Sequence, residues 1–291
     1  MADNFCVMPF IHAFITPNII SPCCAYSSDL RFNTKEQYWE SDQLKGIQKN
    51  MLDNTRDPGC EICWKKEDRG YSSLRQHSNE IYKHHVEQVK KKKIAGWPFY
   101  IDLRLGNLCN LKCRMCISEW SSQIAGEILD NPNEDWIDTP TQKVIGLDDD
   151  TWETIEKWIP YVKRVFMTGG EPTISKQFLD IIEVCNNNNY AENIQLSLTT
   201  NATKFTKTFL DKLRKFESVS LNISCDGFGN TYDYIRYPFN WNKFQERIQN
   251  LKDYRSSTKL GGDKKKFSFG LAVLPVSLNI ENLPSLQKWS R

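Results

Sequence analysis

Beyond residue 95 the chain alternates short runs of period two with longer runs of helical period. Ile101, Leu103 and Leu105 interleave with Tyr100, Asp102 and Arg104, and Ile194, Leu196 and Leu198 with Gln195, Ser197 and Thr199. Val219, Leu221 and Ile223 interleave with Ser220, Asn222 and Ser224, and Phe267, Phe269, Leu271 and Val273 with Ser268, Gly270 and Ala272. These patterns predict strands at about 99–105, 193–199, 219–225 and 267–274, with another at 163–168. Helical periodicity predicts helices over 150–159, 176–184, 204–215 and 241–254. Alternation of this kind implies parallel strands joined by crossover helices. The segment 131–148 reads as a long loop insertion after the first helix.

The faces of the strands refine the architecture. A parallel sheet buried on both faces reads as continuous apolar runs, and a closed eight-stranded barrel fills its lumen with branched apolar side chains. Here one face of each strand is polar or small. The fold class expected is therefore α/β, an open, partial parallel β/α barrel with a wet, ligand-sized lumen and helices over the apolar outer face. Residues 1–95 have few long periodic segments and end in the run Lys90 to Lys93, a solvated helix end passing into a linker. The chain divides into a small cysteine-rich domain, 1–95, and the partial barrel, 96–291.

Composition narrows the function classes. A net charge of +2 gives no reason to expect nucleic acid or an anionic membrane as partner. The amino terminus leads into no apolar signal region, and nothing approaches the ~20 apolar residues of a membrane-spanning helix. A cytoplasmic location is expected. The ten cysteines change the picture most. Eight are grouped: Cys6, then Cys23 with Cys24, Cys60 with Cys63, and Cys109, Cys113 and Cys116. In a reduced compartment such groups read as metal or cluster ligands rather than a disulfide framework. Cys185 and Cys225 stand alone among apolar neighbours as core thiols.

The first strand runs into Leu105-Gly106-Asn107-Leu108-Cys109-Asn110-Leu111-Lys112-Cys113-Arg114-Met115-Cys116, a C-x3-C-x2-C spacing. Three thiolates can hold three irons of a [4Fe–4S] cube and leave the fourth open. A zinc ion would want a fourth ligand, and no histidine lies between Cys109 and Cys185. The triplet, placed after the first strand of an α/β barrel, resembles the signature of the radical S-adenosylmethionine (SAM) superfamily. Met167-Thr168-Gly169-Gly170-Glu171-Pro172 resembles that family's GGE segment, which implies that Gly169, Gly170 and Glu171 hold the amino group of SAM. Ser224-Cys225-Asp226-Gly227 is similar to its S-x-D-G segment, implying contacts from Ser224 and Asp226 to the ribose or methionine. Asp233-Tyr234-Ile235-Arg236 resembles a D-x-I-R segment, with Arg236 opposite the SAM carboxylate. Thr200-Asn201-Ala202 resembles a TNG turn with Ala202 in place of glycine, and Met115 stands where an aromatic residue usually precedes the third cysteine.

The amino-terminal cysteines resemble the C-x(9–15)-G-x4-C … C-x2-C pattern of SPASM and twitch domains, with Asn18 at the glycine position, where a positive φ is expected. The resemblance implies an auxiliary [4Fe–4S] cluster on Cys6, Cys23, Cys60 and Cys63, Cys24 being the substitute for Cys23. A structural zinc site made by the same cysteines is the alternative. In most relatives this domain follows the barrel, whereas here it precedes it. The polar run Glu67-x-x-Gly70-x-x-Ser73-Leu74-Arg75 reads equally as a helix start.

The resemblance implies an enzyme that reductively cleaves SAM and oxidises a peptide or protein substrate, with an external one-electron reductant of flavodoxin or ferredoxin type. A small metabolite or sugar substrate, and a non-catalytic zinc-binding interaction module, are the alternatives. Relatives usually have six βα units and five are read here, so the barrel is shorter, cut off, or completed by another segment.

Overall fold

In a computed structural model of the chain, residues 4–27, 38–91, 96–132, 140–257 and 267–290 are described. Lys92 to Ala95, which include the end of the lysine run and the start of the linker, lie outside them, as do residues 133–139 of the insertion. The elements in chain order are α1 (Met8–Ile11), β1 (His12–Ile15), β2 (Ile20–Ser21), α2 (Asp42–Leu52), α3 (Glu61–Asp68), α4 (Leu74–Ile81), α5 (Lys83–Lys90) and β3 (Tyr100–Arg104). There follow α6 (Ser122–Asp130), α7 (Asp149–Trp158), β4 (Arg164–Thr168), α8 (Lys176–Asn187), β5 (Gln195–Thr200), α9 (Lys207–Leu213), β6 (Ser218–Ser224), α10 (Asn230–Ile235), α11 (Trp241–Ser257), β7 (Phe267–Ala272) and α12 (Leu283–Ser290).

The strands form an open, mostly parallel sheet in the order β2-β1-β3-β4-β5-β6-β7. It is the unclosed α/β arrangement that the strand patterns predict. The residues group into two compact units: Met1–Leu103 with Leu147–Val165, and Arg104–Gly146 with Phe166–Arg291. No helix among the described residues is long and apolar enough to cross a membrane.

In the second unit β5, β6 and β7 run parallel, with Leu198 opposite Leu221 and Leu221 opposite Phe269. Along β6 burial alternates residue by residue, Val219, Leu221 and Ile223 buried and Ser218, Ser220, Asn222 and Ser224 half-buried. The period-two reading is thus realised as one packed face and one partly wet face. Helix starts are set by short polar side chains. Asp148, Ser175 and Thr206 each accept a hydrogen bond from the backbone N–H three residues on. Thr206 is also why α9 begins at Lys207 and not at residue 204.

The first unit is richer in regular structure than its sequence pattern suggests. β1 is paired in parallel with β3, His12 opposite Tyr100 and Ile15 opposite Leu103, and is buried at all four positions. A four-residue strand buried on both faces has no alternation to reveal it. Its aromatic core includes Tyr38, Trp39 and Trp158, with ring centroids 6.1–6.4 Å apart. Asn18, expected at positive φ, is not there. The non-glycine residues with positive φ among those described are Asn54, Asn189 and Ala202. The turn at Asn18 is held instead by Thr16 Oγ1, which accepts from the N–H groups of Asn18 and Ile19.

Candidate functional site: a three-cysteine cradle

The loop after β3 carries the triplet. Cys109, Leu111 and Cys113 form a buried packed group, with Met115, Cys116 and Phe239 against it. Asn107, fully buried, anchors the loop: its Nδ2 donates to the carbonyls of Ser118 and Lys143, and its Oδ1 accepts from Ile145 N–H. Ser121 Oγ donates to Leu111 O at 2.8 Å, and Ser122 Oγ accepts from Cys109 N–H at 3.1 Å. The Leu111 N–H donates to Cys109 Sγ at 3.5 Å. None of the ten cysteines is joined to another by a disulfide.

The backbone after β4 lies directly on this loop. Gly170 N–H donates to Gly106 O and Glu171 N–H to Leu108 O, each at 2.7 Å. Gly169 has φ +126°, a conformation open to glycine and strained for other residues. The two glycines therefore bring the loop after β4 against the backbone of the cysteine loop.

Glu171 is 2% exposed, and both its oxygens are engaged within the protein. Oε1 accepts from Thr173 N–H, Thr173 Oγ1 and Thr200 Oγ1, and Oε2 accepts from Asn201 N–H. Burial pushes the carboxyl above its usual range, and these hydrogen bonds pull against that. Glu171 straps the ends of β4 and β5 together. The turn it holds, Thr200-Asn201-Ala202, continues to the cysteine loop, because Asn201 Nδ2 donates to Asn110 Oδ1 and Asn110 Nδ2 to Thr203 Oγ1. Ala202 has φ +61°, the conformation that a glycine at this position would adopt without strain.

A cavity of about 170 Å³ opens between these loops. Its lining includes Cys109, Cys113, Cys116, Gly169, Gly170, Glu171, Ser224 and Arg236, all expected there from sequence. Thr168, Thr199, Thr200, Asn201 and Trp120 also line it, of which Trp120 carried no sequence signal. Asp226 is not among the lining residues. It is 1% exposed, forms an ion pair with Arg236 and accepts from Leu274 N–H at 2.7 Å.

The donor chemistry fits an iron–sulfur cube. Burial pushes the Cys109 thiol up to about 12 and raises that of Cys113, although Arg236 opposes the latter shift. Buried thiols of this kind are poor nucleophiles, whereas a metal deprotonates its coordinating thiol outright. Among the described residues no three His, Cys, Asp or Glu side chains are grouped as they would be on a single metal ion. A cube that takes one thiolate on each of three irons requires no such convergence. The buried Nε of Arg236 has no hydrogen-bond partner, which suits a carboxylate-bearing ligand in the cavity it lines.

The sequence profile of the Radical SAM superfamily matches residues 103–262. The chain belongs to the radical SAM superfamily. The matched stretch includes the cysteine triplet, the GGE segment and Arg236, so the profile and the cradle coincide. The uncharacterized protein MJ0907 of Methanocaldococcus jannaschii is 26% identical over 134 residues, which are 44% of this chain and 38% of that one. Streptococcus suis SuiB bound to precursor peptide SuiA aligns at 16% identity, covering 82% of this chain and 52% of that one, with a TM-score of 0.40. Native anSMEcpe with bound AdoMet aligns at 20% identity over 66% of this chain and 48% of that one, with a TM-score of 0.47. The radical SAM chain thus spans about half or less of each of these three proteins.

The amino-terminal cysteines Cys6, Cys23, Cys60 and Cys63 of this superfamily member lie within electrostatic reach of one another, without three of them grouped as on a single metal ion. Burial, then this mutual repulsion, raises the Cys6 thiol to about 12 and Cys23 and Cys60 well above the ordinary thiol range. Cys24 is exposed, and Cys23 is the one of the two that acts on Cys6, Cys60 and Cys63. Cys60 and Cys63 sit at the start of α3, where the Asp57 carboxylate accepts from Gly59 N–H and Tyr26 OH.

The polar run 67–75 proves to be a buried clamp in the same unit. Arg75 Nη2 pairs with Glu67 at 2.7 Å with both side chains nearly buried, and Arg75 Nη1 donates to Phe5 O at 2.6 Å. Ser73 Oγ also donates to the Glu67 carboxylate. The clamp holds the residue before Cys6 to the helix that carries Cys63. Arg75→Met, which strands Glu67, is expected to destabilise the chain by roughly 3–5 kcal/mol, read as a lower urea midpoint.

Proposed function

We propose that this chain is a radical SAM enzyme that carries out an oxidation on a peptide or protein substrate. The observation that carries the reading is the three-cysteine group, Cys109 and Cys113 buried and Cys116 against them, beside a cavity walled by the loops after β4, β5 and β6. When bound, the reduced cluster and SAM supply a 5′-deoxyadenosyl radical able to abstract hydrogen from an unactivated carbon. Cys109, Cys113 and Cys116 would hold the cluster. The cofactor's amino-acid end would lie against the backbone of Gly169 and Gly170, with Ser224 and the free Nε of Arg236 as polar partners. Glu171 would act by fixing the β4 and β5 loops, and Asp226 by fixing Arg236. The loops wall the cavity and limit the access of water to a reactive intermediate.

The test is anaerobic reconstitution with iron and sulfide, followed by SAM and dithionite. 5′-Deoxyadenosine is the expected product. Protein that carries zinc, shows no cluster absorbance and forms no product would overturn the reading in favour of a zinc-binding interaction module.

The substrate class rests on the second cysteine group. Four thiolates around one cluster leave no iron open, an arrangement suited to electron transfer. Such a cluster would accept the electron left on the substrate and make the net change an oxidation. The pattern's similarity to SPASM and twitch domains points to a peptide or protein, with residues 1–95 as the auxiliary-cluster domain. Reconstituted wild-type chain is expected to hold about eight irons, and the Cys60→Ala/Cys63→Ala double variant about four, retaining only the triplet's cluster. Equal iron in both, with zinc lost from the variant, would assign the site to structural zinc.

A further inference from the structure

The residues on either side of Cys113 are tied to the residues on either side of Arg236. Lys112 N–H donates to Tyr237 O at 2.7 Å, and Arg114 N–H donates to Ile235 O at 2.9 Å. Between these two bonds the Arg236 guanidinium reaches the thiol, with Nη1 donating to Cys113 Sγ at 3.6 Å. The other arm of the fork forms an ion pair with the Asp226 carboxylate. Asp226 is itself fixed. Its Oδ1 accepts from Leu274 N–H at 2.7 Å, and its carbonyl accepts from Asn279 Nδ2 at 3.0 Å. The Arg236 side chain is 14% exposed, so solvent and salt screen it little. By contrast, the donor to Cys109 is a neutral backbone amide.

Such a pairing has a consequence for an iron–sulfur cluster. Reduction adds one negative charge, and hydrogen bonds to the ligating sulfurs, together with nearby charge, set how readily that charge is accepted. A guanidinium donating to a ligand sulfur favours the reduced state, and a carboxylate behind it offsets part of the effect. The backbone bonds that bracket the pair hold the two main chains together, and the ion pair with Asp226 holds the fork at the sulfur.

We propose that Arg236 is a positioning residue for Cys113 that sets the potential of the cluster this thiolate holds, with Asp226 moderating its charge. The proposal rests on the functional reading above. It concerns one electron passing from dithionite to the cluster; no bond breaks, and the guanidinium keeps its proton.

The experiment compares wild type, Arg236→Gln, Arg236→Lys and Asp226→Asn, each reconstituted and quantified for iron. The reduced fraction is followed by electron paramagnetic resonance against poised potential, without SAM. Cys60→Ala/Cys63→Ala is used as the common background so that one cluster is read. Arg236→Gln is expected to shift the reduction equilibrium at least tenfold towards the oxidised form, about 59 mV for a one-electron couple. Asp226→Asn is expected to shift it the opposite way, and Arg236→Lys to stay nearer wild type than the glutamine variant.

A potential unchanged in Arg236→Gln, with full iron and weakened SAM binding, would overturn the proposal and leave Arg236 as a cofactor ligand only. Should Arg236→Gln take up no iron, Asp226→Asn carries the test, and no shift there overturns the proposal. Parent protein that takes up no iron would instead overturn the proposed function.

Discussion

Cys113→Ala is expected to form no 5′-deoxyadenosine above background and, after reconstitution, to lose the triplet's share of the cluster absorbance, holding about four irons in place of about eight. Cys113 is the middle one of the three proposed ligands. It lies in the buried group with Cys109 and Leu111, its carbonyl accepts from Cys116 N–H at 2.9 Å, and its thiol receives Arg236. Removing the sulfur leaves two thiolates for a cube that needs three. It also leaves the Arg236 Nη1 facing a methyl group. Cys185→Ala is the matched control. That thiol is also buried and raised to about 12 by burial, but it packs within α8, away from the triplet in sequence and outside the cavity lining. The control is expected to keep both absorbance and product. Loss in both variants would point to general unfolding rather than loss of a ligand.

Gly170→Ala is expected to disrupt the cradle although it adds only a methyl group. A Cβ at this position would lie 2.6 Å from the Leu108 carbonyl carbon and 2.7 Å from that of Asn107, with the Leu108 oxygen closer still. All three are backbone atoms of the cysteine loop, so no side-chain rotation can relieve the clash. The loop would have to move, breaking the bonds from Gly170 N–H to Gly106 O and from Glu171 N–H to Leu108 O. We expect a stability loss of about 3 kcal/mol or more and iron uptake at the triplet reduced several-fold. Gly146→Ala separates this from a generic effect of adding a methyl group. Its nearest neighbour would be the flexible Gln177 side chain at 3.4 Å, so its unfolding midpoint should move little. Equal iron uptake in the two variants would show that the close approach at Gly170 is dispensable.

Much of the second unit was legible from sequence because its signals are local. Period-two alternation over 218–224 is a property of consecutive residues, and it survives folding as alternating burial along β6. The C-x3-C-x2-C spacing is local as well, since three thiols within eight residues can meet without help from the rest of the chain. The cap at Thr206 is local too, yet helical periodicity by itself put the start of that helix at 204 and not at Lys207.

Other features depended on residues far apart in the chain. β1 carries no pattern of its own and is recognisable as a strand only through its pairing with β3. Glu171 reads as a free carboxylate for an ammonium group, yet Thr200 and Asn201 of the next loop claim its oxygens. Asp226 reads as a lumen residue from the alternation of β6, yet Arg236 and Leu274 occupy its carboxylate. Arg236 and Cys113 are 123 positions apart, and no spacing rule links them. Sequence by itself determined the strand faces and the spacing of the three thiols, because each is settled within a turn or a strand. Tertiary structure alone decided which polar groups remain free to meet a ligand, because a buried carboxylate or guanidinium takes whatever donors and acceptors the packing of distant loops brings to it.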